Sequence, residues 1–398
     1  MLHRYILAQT PLKLKGVVQR YAWGKVGESS RIASFVEGGA AGGPLAEFWL
    51  GAHPKGAAEL MLDSGEGISL SSLLVGNEAL PFMLKVLSIN PEFGLSIQSH
   101  PDSKTAQALH AKNPEHYPDS SHKPELGIAL SRVSLLYGFK SCPEIVRQFE
   151  LLPELRSLVG EERASKLKNV HSGQEQGALK EVFTALISAS EEDTSRFVCA
   201  VLKRFKGRTD EPAEVSILRR LVPRHGQGDS GLAALCIMNL VTIEPGQAIF
   251  IGPNTPHAYL DGDLVECMAC SDNVIRAGLT TKYKDRETLL ETLSYFAGGP
   301  SLVAAERASS GILAYKTQAR EFSIGVVSRG SSVHVDTVDG AGIVLCLGSA
   351  ATVRHAESGN VCTLSDGGAA LLLKGSGKYE LNPSDADLYL ATGGVVAQ

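Results

Sequence analysis

Ser96, Gln98 and His100 alternate in "LSIQSHPD", residues 95–102. In an extended chain, side chains two apart project from one face. A strand here would present a hydroxyl, an amide and an imidazole together, just before Pro101 stops it. "YPDSSHKPELGIALS" sets Lys123 and Glu125 on either side of a proline at the entry to an apolar run, and Pro124 biases Lys123 towards extended geometry. A third stretch, "NTPHAYLDGDLVECMA", carries His257 and Glu266 around Asp261-Gly262. Asp-Gly between strand-forming residues is a strong two-residue hairpin signal. Counting outward from that turn, His257 is expected to face Glu266, with Cβ atoms roughly 4.5–5.5 Å apart.

Gln98, His100, Glu125 and His257 together offer an amide oxygen, two imidazole nitrogens and a carboxylate. That set suits zinc or a similar divalent ion, and without thiolates it reads as a catalytic rather than a structural centre. Ser96 would face the same cavity. Each residue also has an ordinary reading: a hydrogen-bonded histidine, a polar strand glutamine, a Lys123–Glu125 surface pair, or Glu266 as the group that orients His257. Cys267 and Cys270 in "CMAC" lack a second pair to complete a four-cysteine cage and read as structural.

The elements around these residues divide the chain into parts. Residues 1–140 and 223–300 read as short strands broken by Gly and Pro, one discontinuous metal-bearing roll. Between them, 141–222 is a helical insertion, with Ser141 and Glu144 forming a capping box and Ser190 a second N-cap; no chemistry is expected in it. Strand character is expected to return at "GLAALCIMNLV". Residues 301–398 form a second roll, without metal. "IEPGQAIFIGPNTPHAYL" and "LSDGGAALLLKGSGKYEL" echo one another, with Lys378 where the first has His257. The expected fold is mainly β with a helical insertion and two jelly rolls.

Composition restricts the partners. Over 398 residues, 43% are apolar and 20% charged, the net charge is −5, and no basic block stands out. This argues against nucleic acid but leaves room for a small anion held by local cations. The apolar runs are too short to cross a bilayer, and "MLHRYILAQTPLKLKG" lacks the core of a signal peptide. Seven scattered cysteines fit a reducing compartment, hence the cytoplasm.

"YPDSSHKPE" and "HAYLDGDLVECMACSDNVIRAGLTTKYKD" closely resemble the type I phosphomannose isomerases, zinc enzymes interconverting mannose 6-phosphate and fructose 6-phosphate; "QRYAWGKVG", "AEFWLGAHP" and "LPFMLKVLSINPEFGLSIQSHPD" follow that family in the same order. The resemblance is dense over 15–140 and 235–295, thin in the helical insertion and loose after 300. It implies a cupin fold, one zinc ion per chain on Gln98, His100, Glu125 and His257, and an essential Arg276. It further implies phosphate contacts from Ser96 and Lys282, and pocket lysines at Lys85 and Lys123. The chain is expected to act as a monomer on a phosphorylated sugar, serving GDP-mannose synthesis or mannose catabolism. Ser121 departs from the family's usual Asn, and Thr281 from its usual Pro.

Aldose–ketose isomerisation moves a proton between C1 and C2 through an enediol. Glu266 is the preferred base, Lys123 the second choice and Asp272 the third, the last also reading as a turn cap. Competing functions are another metal cupin such as an oxygenase, which favours more histidine, and a non-catalytic sugar-phosphate binder.

Overall fold

In the computed structural model, which describes residues 11–36, 38–74, 80–300, 302–337 and 340–393, eleven strands build the roll around the residues singled out above. Over residues 1–10, the stretch read for a signal peptide lies outside the described residues. One layer contains Val17–Gln19, Glu47–Leu50, Phe82–Ile89, Glu125–Ala129, Ala248–Ile251 and Leu302–Val303. A second contains Ile97–Ser99, Val133–Phe139, Met238–Ile243 and Ile275–Gly278. Strand Phe82–Ile89 is buried along its whole length because both of its faces are covered, which produces a continuous apolar run rather than alternation. Leu84 and Val86, with Phe48, Leu126, Ile128 and Val265, pack outward against Ile343, Leu345 and Leu371 of the other roll. The opposite parity sends Glu47, Trp49, Lys85, Glu125 and Glu266 inward.

The expected hairpin at Asp261-Gly262 does not form. His257–Ala269 is one 13-residue strand that passes from one layer to the other. Its first part pairs with Val133–Phe139. From Gly262 onward it pairs with Phe82–Ile89, and from Leu264 with Glu125–Ala129 as well. Register slips at Ser134/Leu135 beside Asp261, and Gly262 sits at φ +109°. The turn chemistry is therefore spent on a bulge that bends the strand across the corner of the roll. Pairing along both halves outweighs the local preference for reversal. Arg220 holds Asp261 at 3.0 Å, and Lys25 holds Asp263 at 2.6 Å.

The helical insertion begins as expected, with the Ser141–Glu144 capping box and Ser190 capping Glu191–Arg204. It ends later than Val222. Helix Ala213–His225 carries Pro223 in its last turn. "GLAAL" is helical rather than extended: Ser230–Ala234 starts on the Asp229 cap, whose carboxylate accepts from Gly231 N–H at 2.8 Å. Strand begins at Met238.

In the second roll a nine-stranded sheet faces a four-stranded one, enclosing Val344, Val353, Leu372, Tyr379, Leu381 and Leu388. Leu12–Lys15, Glu59–Met61 and Gly67–Ser69 extend that nine-stranded sheet from the N-terminal part of the chain. The internal echo has a structural counterpart. Ala248–Ile251 and Ala369–Leu372 are strands, each followed by a strand beginning at His257 or at Lys378. The protein is mainly β, with a helical insertion and two rolls.

A Cβ at Gly262 would lie 2.7 Å from Arg132 O and from Val133 Cγ2, at a φ that side chains avoid. Gly262→Ala is expected to destabilise the protein by about 1–3 kcal/mol, read as a lower denaturant midpoint with an unchanged slope.

Candidate active site

Strand Ile97–Ser99 pairs with Ile275–Gly278 and, through Gln98, with His257. Gln98, His100 and His257 thus come from one layer and Glu125 from the other. His100 Nε2 lies 3.2 Å from Glu125 Oε1, and His257 Nε2 lies 3.5 Å from Glu125 Oε2. Gln98 Nε2 lies 3.5 Å from His257 Nε2, and Gln98 Oε1 accepts from Ser96 Oγ at 3.3 Å. Both imidazoles are fixed from behind: Nδ1–H of His100 donates to Asn273 O at 2.8 Å, and that of His257 to Thr255 O at 2.9 Å. With Nδ1 protonated, each Nε2 turns a lone pair towards the carboxylate. His100 Nε2 is buried without a hydrogen-bond partner. Acceptors converging on acceptors, out of water, require a cation between them. His100, Glu125 and His257 form, among the described residues, the one such group of histidine, cysteine and acidic side chains, with ligand atoms all within 4.8 Å of one another. The donor set fits a divalent ion of the zinc type.

The charges support this arrangement. Burial pushes the His100 imidazole down to about 4, so it is neutral and ready to bind metal. Burial opposes the charge of Glu125, but the Lys123 ammonium outweighs it and holds the carboxyl well below its usual range. Lys123 donates to Glu125 Oε1 at 2.9 Å. Burial works to lower its ammonium, yet Glu125 and Glu266 nearby raise it overall.

Next to the donors opens a cavity of about 610 Å³. Ser96, Gln98, Lys85, Lys123, Asp272, Arg276 and Lys282 all line it. Burial lowers the Arg276 guanidinium, and burial together with Arg276 lowers the Lys282 ammonium. Both are therefore primed to gain from a bound anion.

Glu266 is placed differently from expectation. It does not face His257. Its strand partners are Lys85 and Gly127, which puts it diagonal to Glu125 on the inner face. It is buried, and is not among the residues lining the cavity. Burial, reinforced by Glu125, pushes its carboxyl up to about 8. Tyr259 reaches towards this face: a Cβ on Gly127 would come within 2.5 Å of its hydroxyl. Asp272 is a cavity carboxylate of the opposite character. Burial would raise it, but His53 at 3.3 Å and Lys55 at 2.8 Å hold it ionised, well below the usual range.

Several lining residues had no local signal. Arg224 and His225 end a helix of the insertion in which no chemistry was expected. His225 Nε2 lies 2.7 Å from Phe93 O, and Arg224 covers the Phe93 ring at 4.5 Å. His53 and Lys55 share the parity of Glu47 and Trp49 within "AEFWLGAHPKG", a pattern that could have pointed to them. The two departures leave the site laced together. Ser121 is exposed and bonded through its carbonyl, which accepts from Ser271 Oγ at 3.1 Å and Asn273 Nδ2 at 2.9 Å. Beside Thr281, Lys282 N–H donates to Thr280 Oγ1 at 3.1 Å.

A cation pocket between two layers of a β roll, opening on a cavity rich in lysine and arginine, defines a metal-binding cupin built for a small anion. Residues 12–142 match the phosphomannose isomerase type I catalytic domain. Mannose-6-phosphate isomerase of Rattus norvegicus is 40% identical over 311 residues, covering 71% of this chain and 72% of that protein. Mannose-6-phosphate isomerase 2 of Arabidopsis thaliana is 34% identical over 379 residues, covering 87% and 85%. A crystal structure of zinc-bound mannose 6-phosphate isomerase superposes with a TM-score of 0.82 at 26% identity, covering 96% of this chain and 99% of that one. The chain belongs to the type I phosphomannose isomerases, and is an enzyme of the aldose–ketose isomerase class.

The raised Glu266 carboxyl has a consequence for stability. In the unfolded chain it ionises near the ordinary 4.5 of a glutamate, in the fold only at about 8. The fold binds the extra proton, so this contribution is full below pH 4.5 and is lost as pH rises to about 8. Metal-free Glu266→Gln is expected to be ~1–3 kcal/mol more stable than the parent at pH 8. The gap should close towards pH 4.5 in paired denaturant titrations.

Proposed function

We propose that the chain interconverts mannose 6-phosphate and fructose 6-phosphate, with Gln98, His100, Glu125 and His257 holding zinc. The observation that carries this reading is the convergence of His100, Glu125 and His257 beside a cavity lined by Lys85, Lys123, Arg276 and Lys282. When bound, the metal supplies Lewis acidity to the sugar oxygens. The remaining work falls to side chains of this chain. Lys282 and Ser96 hold the phosphate at the cavity wall. Arg276, half desolvated, stabilises negative charge as it develops on the enediolate. Lys123 keeps Glu125 ionised and presents an ammonium to the same cavity.

Glu266 is assigned as the group that accepts and returns the proton. A base works best with a pKa near the operating pH, and burial brings Glu266 to about 8. Because Glu266 does not line the cavity, its proton passes to and from the substrate through one bridging water in this reading. Asp272, which does line the cavity, is too weak a base while His53 and Lys55 hold it ionised. The chain acts as a cytoplasmic monomer that serves GDP-mannose formation or mannose catabolism. Among the described residues no helix is long and apolar enough to cross a membrane.

Two experiments test this reading. Chelation is expected to abolish fructose 6-phosphate formation in a coupled assay, and added zinc to restore it; turnover that survives complete metal removal would overturn the metal's role. Glu266→Gln is expected to keep its metal while kcat falls by about 10²–10⁴-fold. Loss of metal in that variant would move Glu266 to the support of the ligands and the base elsewhere.

A further inference from the structure

Among the described residues, the second roll contributes none to the cavity lining, which runs from Tyr21 to Lys282. It nevertheless touches the site loop. Glu321 lies between strands Leu313–Tyr315 and Ser323–Val327 of the nine-stranded sheet, next to Phe322, which is buried in the core shared by the two rolls. From that anchored position its Oε1 lies 2.5 Å from His122 Nε2. His122 immediately precedes Lys123, Pro124 and Glu125. Both side chains are largely covered, at 29% and 23% exposure. The other carboxylate oxygen accepts from Arg320 N–H at 3.1 Å, which leaves Glu321 little freedom to swing away.

The site loop is already tied on its other side. Asp119 accepts from Ser271 Oγ at 2.9 Å and from Asp272 N–H at 2.8 Å, and Asn273 Nδ2 donates to Asp119 O at 2.7 Å. These bonds secure residues 119–121 to the segment whose Asn273 carbonyl orients His100. Nothing in that lacing reaches His122. Glu321 supplies the restraint on the last turn of the loop before Lys123, and it comes from a different part of the chain.

We infer that Glu321 is a positioning residue: acting through His122, it fixes the loop that aims Lys123 at Glu125 and at the substrate, and so couples the second roll to turnover. This rests on the isomerase reading above. A charge-assisted bond from an imidazole N–H to a carboxylate is short and directional, and displacing a positioned group by 1 Å can cost about a hundredfold in rate.

The test is a two-by-two set of Glu321→Ala and His122→Ala with the parent, plus Glu321→Gln, all loaded with zinc. Glu321→Ala is expected to lower kcat by about ten- to a hundredfold, with a smaller change in KM. Glu321→Gln, which keeps an acceptor, should recover much of the loss. In the His122→Ala background, Glu321→Ala should add nothing further, because the two act as one unit. Amide hydrogen exchange supplies a readout independent of turnover. Glu321→Ala should speed exchange at His122 and Lys123 while leaving strand Ile97–Ser99 as protected as in the parent. Additive losses in the double variant, or unchanged exchange at His122 and Lys123, would overturn the inference. A parent protein that fails to convert mannose 6-phosphate would sink the isomerase reading instead, leaving the exchange comparison to stand by itself.

Discussion

A carboxylate with 2% of its surface exposed and two imidazole lone pairs turned towards it is the interaction on which this structure turns. An ionised group buried without compensation costs several kcal/mol. Glu125 is compensated by the Lys123 ammonium and by whatever cation the His100 and His257 nitrogens share with it. Every element nearby serves that arrangement. The carbonyls of Asn273 and Thr255 fix the ring tautomers, the Asp119 lacing holds the Asn273 segment, and Pro124 stiffens the step from Lys123 to Glu125. Remove the cation and the same geometry becomes a set of unsatisfied acceptors, which is why these residues are read as a ligand set rather than a polar core.

Bringing donors from two layers to one point requires a roll narrow enough for side chains to meet across it. The bend at Gly262 provides this by letting one strand belong to both layers, so that His257 near one end and Glu266 near the other both reach the interior. Covering the outer face of the Phe82–Ile89 layer with the second roll then frees its inner face for Glu47, Lys85 and Glu266, charged groups that a single exposed sheet would have no reason to bury. The second roll thus covers the layer behind the site, though none of its described residues lines the cavity.

What could be read from the sequence was what depends on near neighbours. The shared parity of Gln98 and His100, the entry at Lys123-Pro124-Glu125 and the cap at Ser141 are all settled within a few residues, and each appears in the structure. The Asp261-Gly262 hairpin failed because turn preference is also local, while the pairing that outweighed it comes from Phe82–Ile89 and Val133–Phe139, far away in the chain. "GLAAL" was misread for a related reason: four apolar residues carry no period, and Asp229 decided in favour of helix. Arg224 and His225 show the other limit. An arginine and a histidine at a helix end are unremarkable until tertiary structure sets that end against Phe93 and the cavity.

Two of the inner carboxylates then make a single electrostatic argument. Glu125 and Glu266 share a face and repel, and the lysines between the layers do not stabilise them equally. Lys123 bonds Glu125 directly, so its ionisation is secured; Glu266 meets Lys85 and Lys123 only through space and is left with a raised pKa. Two like acids in one dry compartment are thereby driven apart; in the proposed mechanism one holds the metal and the other exchanges a proton near neutral pH. A fold selected for stability alone would have placed a non-ionisable residue at the second position. Retaining the acid, next to an already buried charge and under a cavity lined with cations, is the cost expected of a site that has to move a proton.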